Sequence, residues 1–494
     1  MFNSLQWYLQ TAVLVSPPAM SDSHYDTLIL GAGMSGLAAG IRLAYYEKKV
    51  CILEQHTMPG GLNSFYRLDG RNFDVGLHAM TNFVPRDIRS APLNKLLRQL
   101  RIKYDEFQLC PQRVSDVRFP GVKLRFSNDF KLFESEVCEK FPKQADAFQR
   151  LVAHIHSFNE LDLNAKPLSA RETISGFLSD ALLVDMILCP LMFYGSANVD
   201  DMEFGQFVIM FKSIFCEGFA RPRAGVRQII STLLKKYKAC KGELRMGCGV
   251  TRLLVDGERI RAVELDTGET LTANTILSSA GFVETMRLCS DANPTAIAQL
   301  DQQAGQMTFL ESISVLDCAP ESLGFDQTIT FYNDSERFRY RPAEDMVDTS
   351  SAVVCVPGNF QYDTPLDEGM VRITHIANFD LWKNLPQDQY KAKKQEWYER
   401  SVAAASRFVP EFRKHVKYID TFSPLTIRKF TRHDNGAVYG APRKLKDGRT
   451  RLANLFLCGT DQGFLGIIGA MLSGISMANL HVLQGTGGTA DERR

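Results

Sequence analysis

Apolar and polar positions first organise themselves at residues 25–54. The run 25-YDTLIL-30 has the character of a buried strand and is broken by 31-GAGMSG-36. The segment 37-LAAGIRLAYYEKK-49 then carries the Ala/Leu-rich spacing of a helix, and 50-VCILE-54 is a second apolar run that ends on an acid. The pattern predicts strand, Gly-rich turn, helix and strand in immediate succession. A shorter strand pattern, 70-GRNFDVGLHAM-80, follows a glycine pair at Gly60-Gly61 and ends on Gly76-Leu77-His78. Further on, 221-RPRAGVRQIISTLLKKY-237 reads as a loop entering a helix. The stretch 243–281 reads as a β-meander with turn signals at Asp256-Gly257 and Thr267-Gly268, and 276-ILSSAG-281 as its returning strand. Near the end, 454-NLFLCGTDQGFLGIIGAMLSGISMANLHVL-483 joins an apolar strand to a Gly-broken turn and a long apolar helix.

The first of these units carries chemistry. Gly31 allows the tight turn, Gly33 lets backbone approach a pyrophosphate, and Gly36 lets the helix pack on the strand. The helix N-terminus supplies amide donors and its dipole to phosphate. Glu54 lies 18 residues past Gly36, where a carboxylate accepts hydrogen bonds from a ribose diol. A lone Gly-x-Gly-x-x-Gly is weak evidence, whereas strand, motif, helix, strand and acid in this order form a dinucleotide-binding signature. No second such unit follows, because 485-GTGGT-489 sits in a polar tail and opens no helix.

Composition narrows the remaining classes. With 494 residues, 45% of them hydrophobic, 23% charged and a formal net charge of +1, the chain is long enough for two or more domains and offers no electrostatic case for nucleic acid. The eleven cysteines form no CxxC pair, which removes the disulfide reductases and fits reduced thiols in a cytoplasmic setting. No metal site is expected, since His154 and His156 are two apart and would face different sides of a helix. The first 20 residues hold no Lys or Arg and do not read as a secretory signal. Met20 is an alternative start, and Trp7, Tyr8 and Leu9 are candidates for membrane contact. No run looks long enough to span a bilayer.

The glycine pair Gly60-Gly61, six residues after the acid, resembles the extended motif of FAD-binding oxidoreductases. The segments 31-GAGMSGLAAGIRLA-44, 74-DVGLH-78, 436-GAVYG-440 and 457-LCGTDQGFLGIIGAMLSG-474 occur in the order seen in the phytoene desaturase, carotenoid isomerase and retinol saturase group, which the chain resembles at both flavin ends. That resemblance implies an α/β fold: a discontinuous Rossmann-like FAD-binding domain (GR2-type) at 22–85, 220–289 and 426–494, with an inserted α+β substrate domain at 86–219 and 290–425. It also implies that Val250 contacts the adenine end by backbone and that Gly459 and Asp461 belong to a second flavin motif, with Asp461 on the ribityl chain. The helix beginning near Ile467, with Ile468 among the cofactor contacts, would direct its amides at the flavin ring.

The implied function is FAD-dependent oxidoreduction at carbon–carbon bonds of a long hydrophobic polyene, by desaturation, saturation or cis–trans isomerisation. An external electron donor or acceptor is implied, as is peripheral membrane contact. The segment 182–220 is crowded with Met and Phe, which suits either a polyene tunnel or plain core; both readings stay open. His78 is the candidate proton carrier near the ring, with His433 and Asp434 behind it. Two rivals remain. Flavin amine oxidases share the same ends but commonly place Arg after the glycine pair, where this chain has Leu62. A non-enzymatic flavin-bearing protein is the other.

Overall fold

A computed structural model describes residues 20–484 apart from 77, 161 and 163–165, with side chains from residue 24 onward; Trp7, Tyr8, Leu9 and 485–489 lie outside the described residues. Two seven-stranded sheets organise the chain. In the first, Met20–Leu30 lies between Thr270–Ser278 and Val50–Glu54, parallel to both, and Leu455–Leu457 adds a further parallel strand beside Thr270–Ser278. The strand expected at 25–30 thus reaches back to Met20, its extension fixed where His24 ring nitrogens meet Thr272 Oγ1 at 2.9 Å and Asn274 Oδ1 at 3.0 Å. Glu243–Met246 does not belong to the meander. It pairs parallel with Val50–Glu54, locked by the Tyr237 hydroxyl, which lies 3.1 Å from Val50 O and 2.9 Å from Glu243 O. The meander proper, Val250–Asp256 with Arg259–Leu265, extends the sheet from Thr270–Ser278.

The helices Met34–Tyr45, Val226–Ala239 and Gly466–Ala478 pack together against this sheet. Glycine makes the closest of these approaches possible. A Cβ on Gly36 would lie 2.0 Å from Gly31 O, and one on Gly474 would lie 2.0 Å from Ser35 O. By length and composition alone, Gly466–Leu483 is apolar enough to cross a membrane, which corrects the expectation that no such run exists. Half of it is buried, and Ile468, Met471 and Ile475 sit in the core against the first helix, so here it is a core helix.

The second sheet takes strands from two distant parts of the chain. Its order is Val416–Phe422, Thr308–Leu316, Gly369–Ala377, Val347–Cys355, Ile329–Asn333, Ser115–Phe119 and Val122–Phe126, antiparallel except where Ile329–Asn333 runs parallel to Ser115–Phe119. One face is covered by helices from 130–216 and the other by Gln387–Ala405, so Thr308–Leu316 is buried at all nine positions. The architecture is therefore α/β with a discontinuous Rossmann-like sheet and an inserted α+β unit. The ten Met and Phe side chains from Met186 to Phe219 are all buried, and most build core: Phe133 stacks on Phe215 with centroids 4.1 Å apart, and Phe204 on Phe207 at 5.6 Å.

Gly474→Val should lower the thermal unfolding midpoint, since overpacking a close helix crossing costs about 1–3 kcal/mol. A scan against the unmodified protein reads this directly, and an unchanged midpoint would mean that the crossing is looser than described.

Candidate active site

The Gly-rich turn is assembled from three directions. Gly31, at φ +97°, donates its amide to Leu53 O at 2.8 Å, and Ser279 Oγ donates to Leu30 O at 2.8 Å. The glycine pair lies on top: Gly60 N donates to Ala32 O at 2.9 Å, and both glycines have positive φ, +111° and +58°. A Cβ on Gly33 would meet nothing within 4 Å, so its face is open. The first intrahelical bond is Leu37 N to Gly33 O, which leaves the amides of Met34 and Ser35 directed at a cleft both residues line. Glu54 is buried behind the turn, its carboxylate accepting from Ala32 N at 2.7 Å and His56 N at 2.8 Å. Cys248 N donates to Glu54 O at 2.8 Å, which brings the start of the Val250 strand beside the same acid. These features fit a flavin-type dinucleotide.

The C-terminal turn closes the cleft from the other side. Gly459, at φ +89°, donates its amide to Ser473 Oγ at 2.8 Å, and Gly459, Thr460, Gly466 and Ile467 line the cleft. Asp461 and Ile468 do not. The Asp461 carboxylate is turned away, accepting from Phe282 N at 2.6 Å and Ala441 N at 2.8 Å, so it ties three loops together while Thr460 faces the opening. Ile468 is fully buried in the helix packing.

The structure moves His78. Its strand ends at Asp74: Val75 N still donates to Ser64 O at 2.9 Å, but Gly76 then packs closely on Leu62. His78 reaches the cleft from the following bend, where Nε2 lies 3.0 Å from Thr374 Oγ1 and 3.4 Å from Glu311 Oε1. Glu311 in turn pairs with Arg372 Nε, and Arg372 Nη2 donates to Asp74 O at 2.9 Å and Val75 O at 3.2 Å. Arg221 pairs with Asp74 and donates to His78 O at 3.1 Å. Glu311, Arg372, Arg221 and Thr374 are absent from the sequence reading. The available signal was a lone acid in the apolar run 308-TFLESISVL-316 and a lone Arg in 369-GMVRITHIA-377.

Burial is the largest influence on His78 and pushes its imidazole below the ordinary range, against the pull of Glu311. Burial alone would raise Glu311, but Arg372 and His78 hold its carboxyl below the usual carboxylate range. His433 also lines the cleft, with Nδ1 3.0 Å from Ala437 O, whereas Asp434 is committed to Arg287. Much of the rest of the wall is apolar, with Phe193, Met210, Phe309, Val353, Phe422, Ile427 and Val438, while Asn63, Thr81, Tyr194, Thr431 and Tyr439 add polar groups. Of the ten Met and Phe side chains in 186–219, only Phe193 and Met210 reach it. The cavity volume of the cleft is about 220 Å³, and the cleft opens to solvent.

Residues 29–100 match the NAD(P)-binding Rossmann-like domain family. Prolycopene isomerase of Arabidopsis thaliana is 22% identical over 93% of this chain and 82% of its own length, and all-trans-retinol 13,14-reductase of Danio rerio is 21% identical over 92% and 85%. A lycopene-forming phytoene desaturase of Pantoea ananas is 24% identical over 55% of this chain and 59% of its own. Among solved structures, an oxidoreductase of Methanosarcina mazei superposes with a TM-score of 0.64 at 17% identity, covering 91% of this chain and 99% of its own. Putrescine oxidase bound to putrescine gives 0.61 at 16%, covering 92% and 98%. These structures share the fold.

Arg372→Leu should destabilise the protein by about 3–5 kcal/mol, because it leaves the Glu311 carboxylate buried and uncompensated. The double variant with Glu311→Leu should lose less than the single one, as read from chemical denaturation midpoints. The folded values of His78 and Glu311 both lie below their unfolded ones. Stability is therefore complete above roughly pH 6.5 and falls on acidification, as the unfolded chain takes up protons that the folded one refuses. His78→Gln should flatten the first part of that fall in thermal scans.

Proposed function

We propose that this chain is an FAD-dependent oxidoreductase acting on carbon–carbon bonds of a long hydrophobic polyene isoprenoid of the carotenoid or retinoid type. The observation that carries this reading is a single cleft in which a dinucleotide loop and a helix N-terminus meet an apolar aromatic wall. The relatives support it by their names: an isomerase, a retinol reductase and a desaturase, the first two alike over more than nine-tenths of this chain. FAD fits the residues present. Gly31, Gly33 and Gly36 with Gly60 and Gly61 would hold its pyrophosphate, Glu54 and the Val250 strand its adenosine, and the Gly466 helix start its ring.

When bound, FAD supplies hydride chemistry at carbon. The chain's own work is then to align the polyene, exclude water and move a proton. Phe193, Phe309 and Phe422 offer faces to a conjugated chain, and His78 is the proton carrier. Among the described residues Glu311 is the only carboxylate on this wall, and it is held by Arg372 and borders His78 rather than standing free for a cationic amine. That, with Leu62 in the place of Arg, sets the amine oxidase reading second.

Delivery would be from a membrane surface, with the protein in the cytoplasm and docked peripherally. A second cavity adjoins the helices that carry Phe193 and Met210, lined by Ala197, Met202, Ile209, Phe464 and Met477 together with charged Glu160, Glu203, Arg443, Lys446 and Asp447. Exposed Leu168, Val199 and Leu480 stand at or next to its lining. Net desaturation requires an outside acceptor and net saturation an outside donor, whereas isomerisation requires neither.

The test is anaerobic mixing of the purified flavoprotein with phytoene, a cis-carotene and retinol, with and without dithionite. Bleaching by a polyene means desaturation; reoxidation of the reduced flavin, or polyene isomerisation, means saturase or isomerase chemistry. Bleaching by a simple amine with every polyene inert would overturn the reading. Gly33→Val should retain the fold and lose FAD, because the added side chain enters open space in the cleft.

A further inference from the structure

The buried charges beside His78 decide which of its nitrogens faces the cleft. Glu311 sits directly opposite Thr374 across the strand pair, with Arg372 two residues before Thr374. The Arg372 guanidinium holds the Glu311 carboxylate and, through the carbonyls of Asp74 and Val75, the segment that carries His78. The His78 carbonyl is held separately, by Arg221 Nη1 at 3.1 Å and Cys355 Sγ at 3.8 Å. The ring is thus fixed from both ends. Its Nε2 meets an oxygen of a carboxylate, which can only accept, and the Thr374 hydroxyl. The carboxylate, which cannot donate, favours the hydrogen on Nε2, and the Thr374 hydroxyl is compatible with either tautomer. Among the described residues no partner is recorded for Nδ1, and the ring lines the cleft beside Tyr194, whose buried hydroxyl also lacks a partner.

We propose that Glu311, clamped by Arg372, is the positioning residue that fixes His78 as the Nε2–H tautomer and presents the Nδ1 lone pair to the cleft as the proton acceptor for a bound polyene. This rests on the function proposed above. In the desaturating direction the proton leaves a substrate carbon for Nδ1. The electron pair of that C–H bond becomes the new double bond, and bound FAD would be the acceptor for the hydride lost from the neighbouring carbon. The imidazolium so formed is met by the Glu311 carboxylate. In the saturating direction Nδ1–H returns the proton to carbon. The charged and titratable groups packed around the ring are Glu311, Arg372, Arg221, Asp74, Cys355 and Tyr194. Glu311 is the one that borders Nε2 directly.

The experiment is 15N NMR of the FAD-loaded protein labelled in histidine, with the His78 signals assigned by their loss in His78→Gln. At pH 8 the unmodified protein should show Nε2 protonated and Nδ1 bare. Glu311→Gln should mix the tautomers and lower kcat by roughly tenfold or more, with KM within about twofold. Glu311→Asp should keep the tautomer and recover most of kcat. A protonated Nδ1 in the unmodified protein overturns the proposal even if no variant folds. So does Glu311→Gln with both tautomer and kcat unchanged. A correct tautomer with every polyene inert supports the positioning and removes the polyene reading. A reversed tautomer with polyene turnover intact does the opposite.

Discussion

The guanidinium of Arg372 is the contact on which the site depends, because it joins what the chain order separates. It lies in the middle of the inserted sheet, and it reaches the backbone at Asp74 and Val75, just past the hairpin that follows the dinucleotide loop. A buried charge is costly unless it is paired and fully hydrogen-bonded. Arg372 meets that condition with Glu311 and both carbonyls in place, which ties the inserted sheet to the hairpin that follows the dinucleotide loop. Arg221 and Asp74 repeat the device one step away, and Val226 N completes it by donating to Asp74 Oδ1 at 3.1 Å. The polar interior of the interface thereby specifies geometry, while the apolar clusters on either side supply the driving force.

Much of the dinucleotide half was legible in the sequence, because its steric demands fall on glycine. Gly31, Gly36, Gly60 and Gly459 stand where a side chain would collide or where φ is positive, and such positions write themselves into the chain as motifs. The sequence marked Glu54 as an acid ending an apolar strand, but not that its carboxylate accepts from Ala32 N and His56 N. The end of the 70–80 strand was not legible, since Gly76 and His78 read the same whether the ladder continues or stops. Asp461 shows another limit. Spacing located the turn, yet only the positions of Phe282 and Ala441 reveal that its carboxylate faces inward.

The inserted half was less legible because its function is carried by pairings across long sequence separations. Glu311, Arg372 and His78 lie in three separate segments, and a lone charge in an apolar strand announces burial without naming its partner. The Met/Phe-rich segment posed the opposite difficulty. Its side chains all satisfy the requirements of a core, and Phe193 and Met210 differ from their neighbours only in which way the helix turns them. Composition therefore left tunnel and core undivided, and the helix orientation divides them.

The strand Leu455–Leu457 and the helix Gly466–Ala478 make the first sheet a closure between distant segments. That sheet seats Thr270–Ser278 between Met20–Leu30 and Leu455–Leu457, which come from widely separated parts of the chain. The first helix waits for Gly474 to pack on Ser35. Until those distant segments meet, the nucleotide fold is unfinished and apolar surface of the first helix is uncovered. The two walls of the cleft, at Gly33 and at Gly459, therefore form only together with that long-range closure.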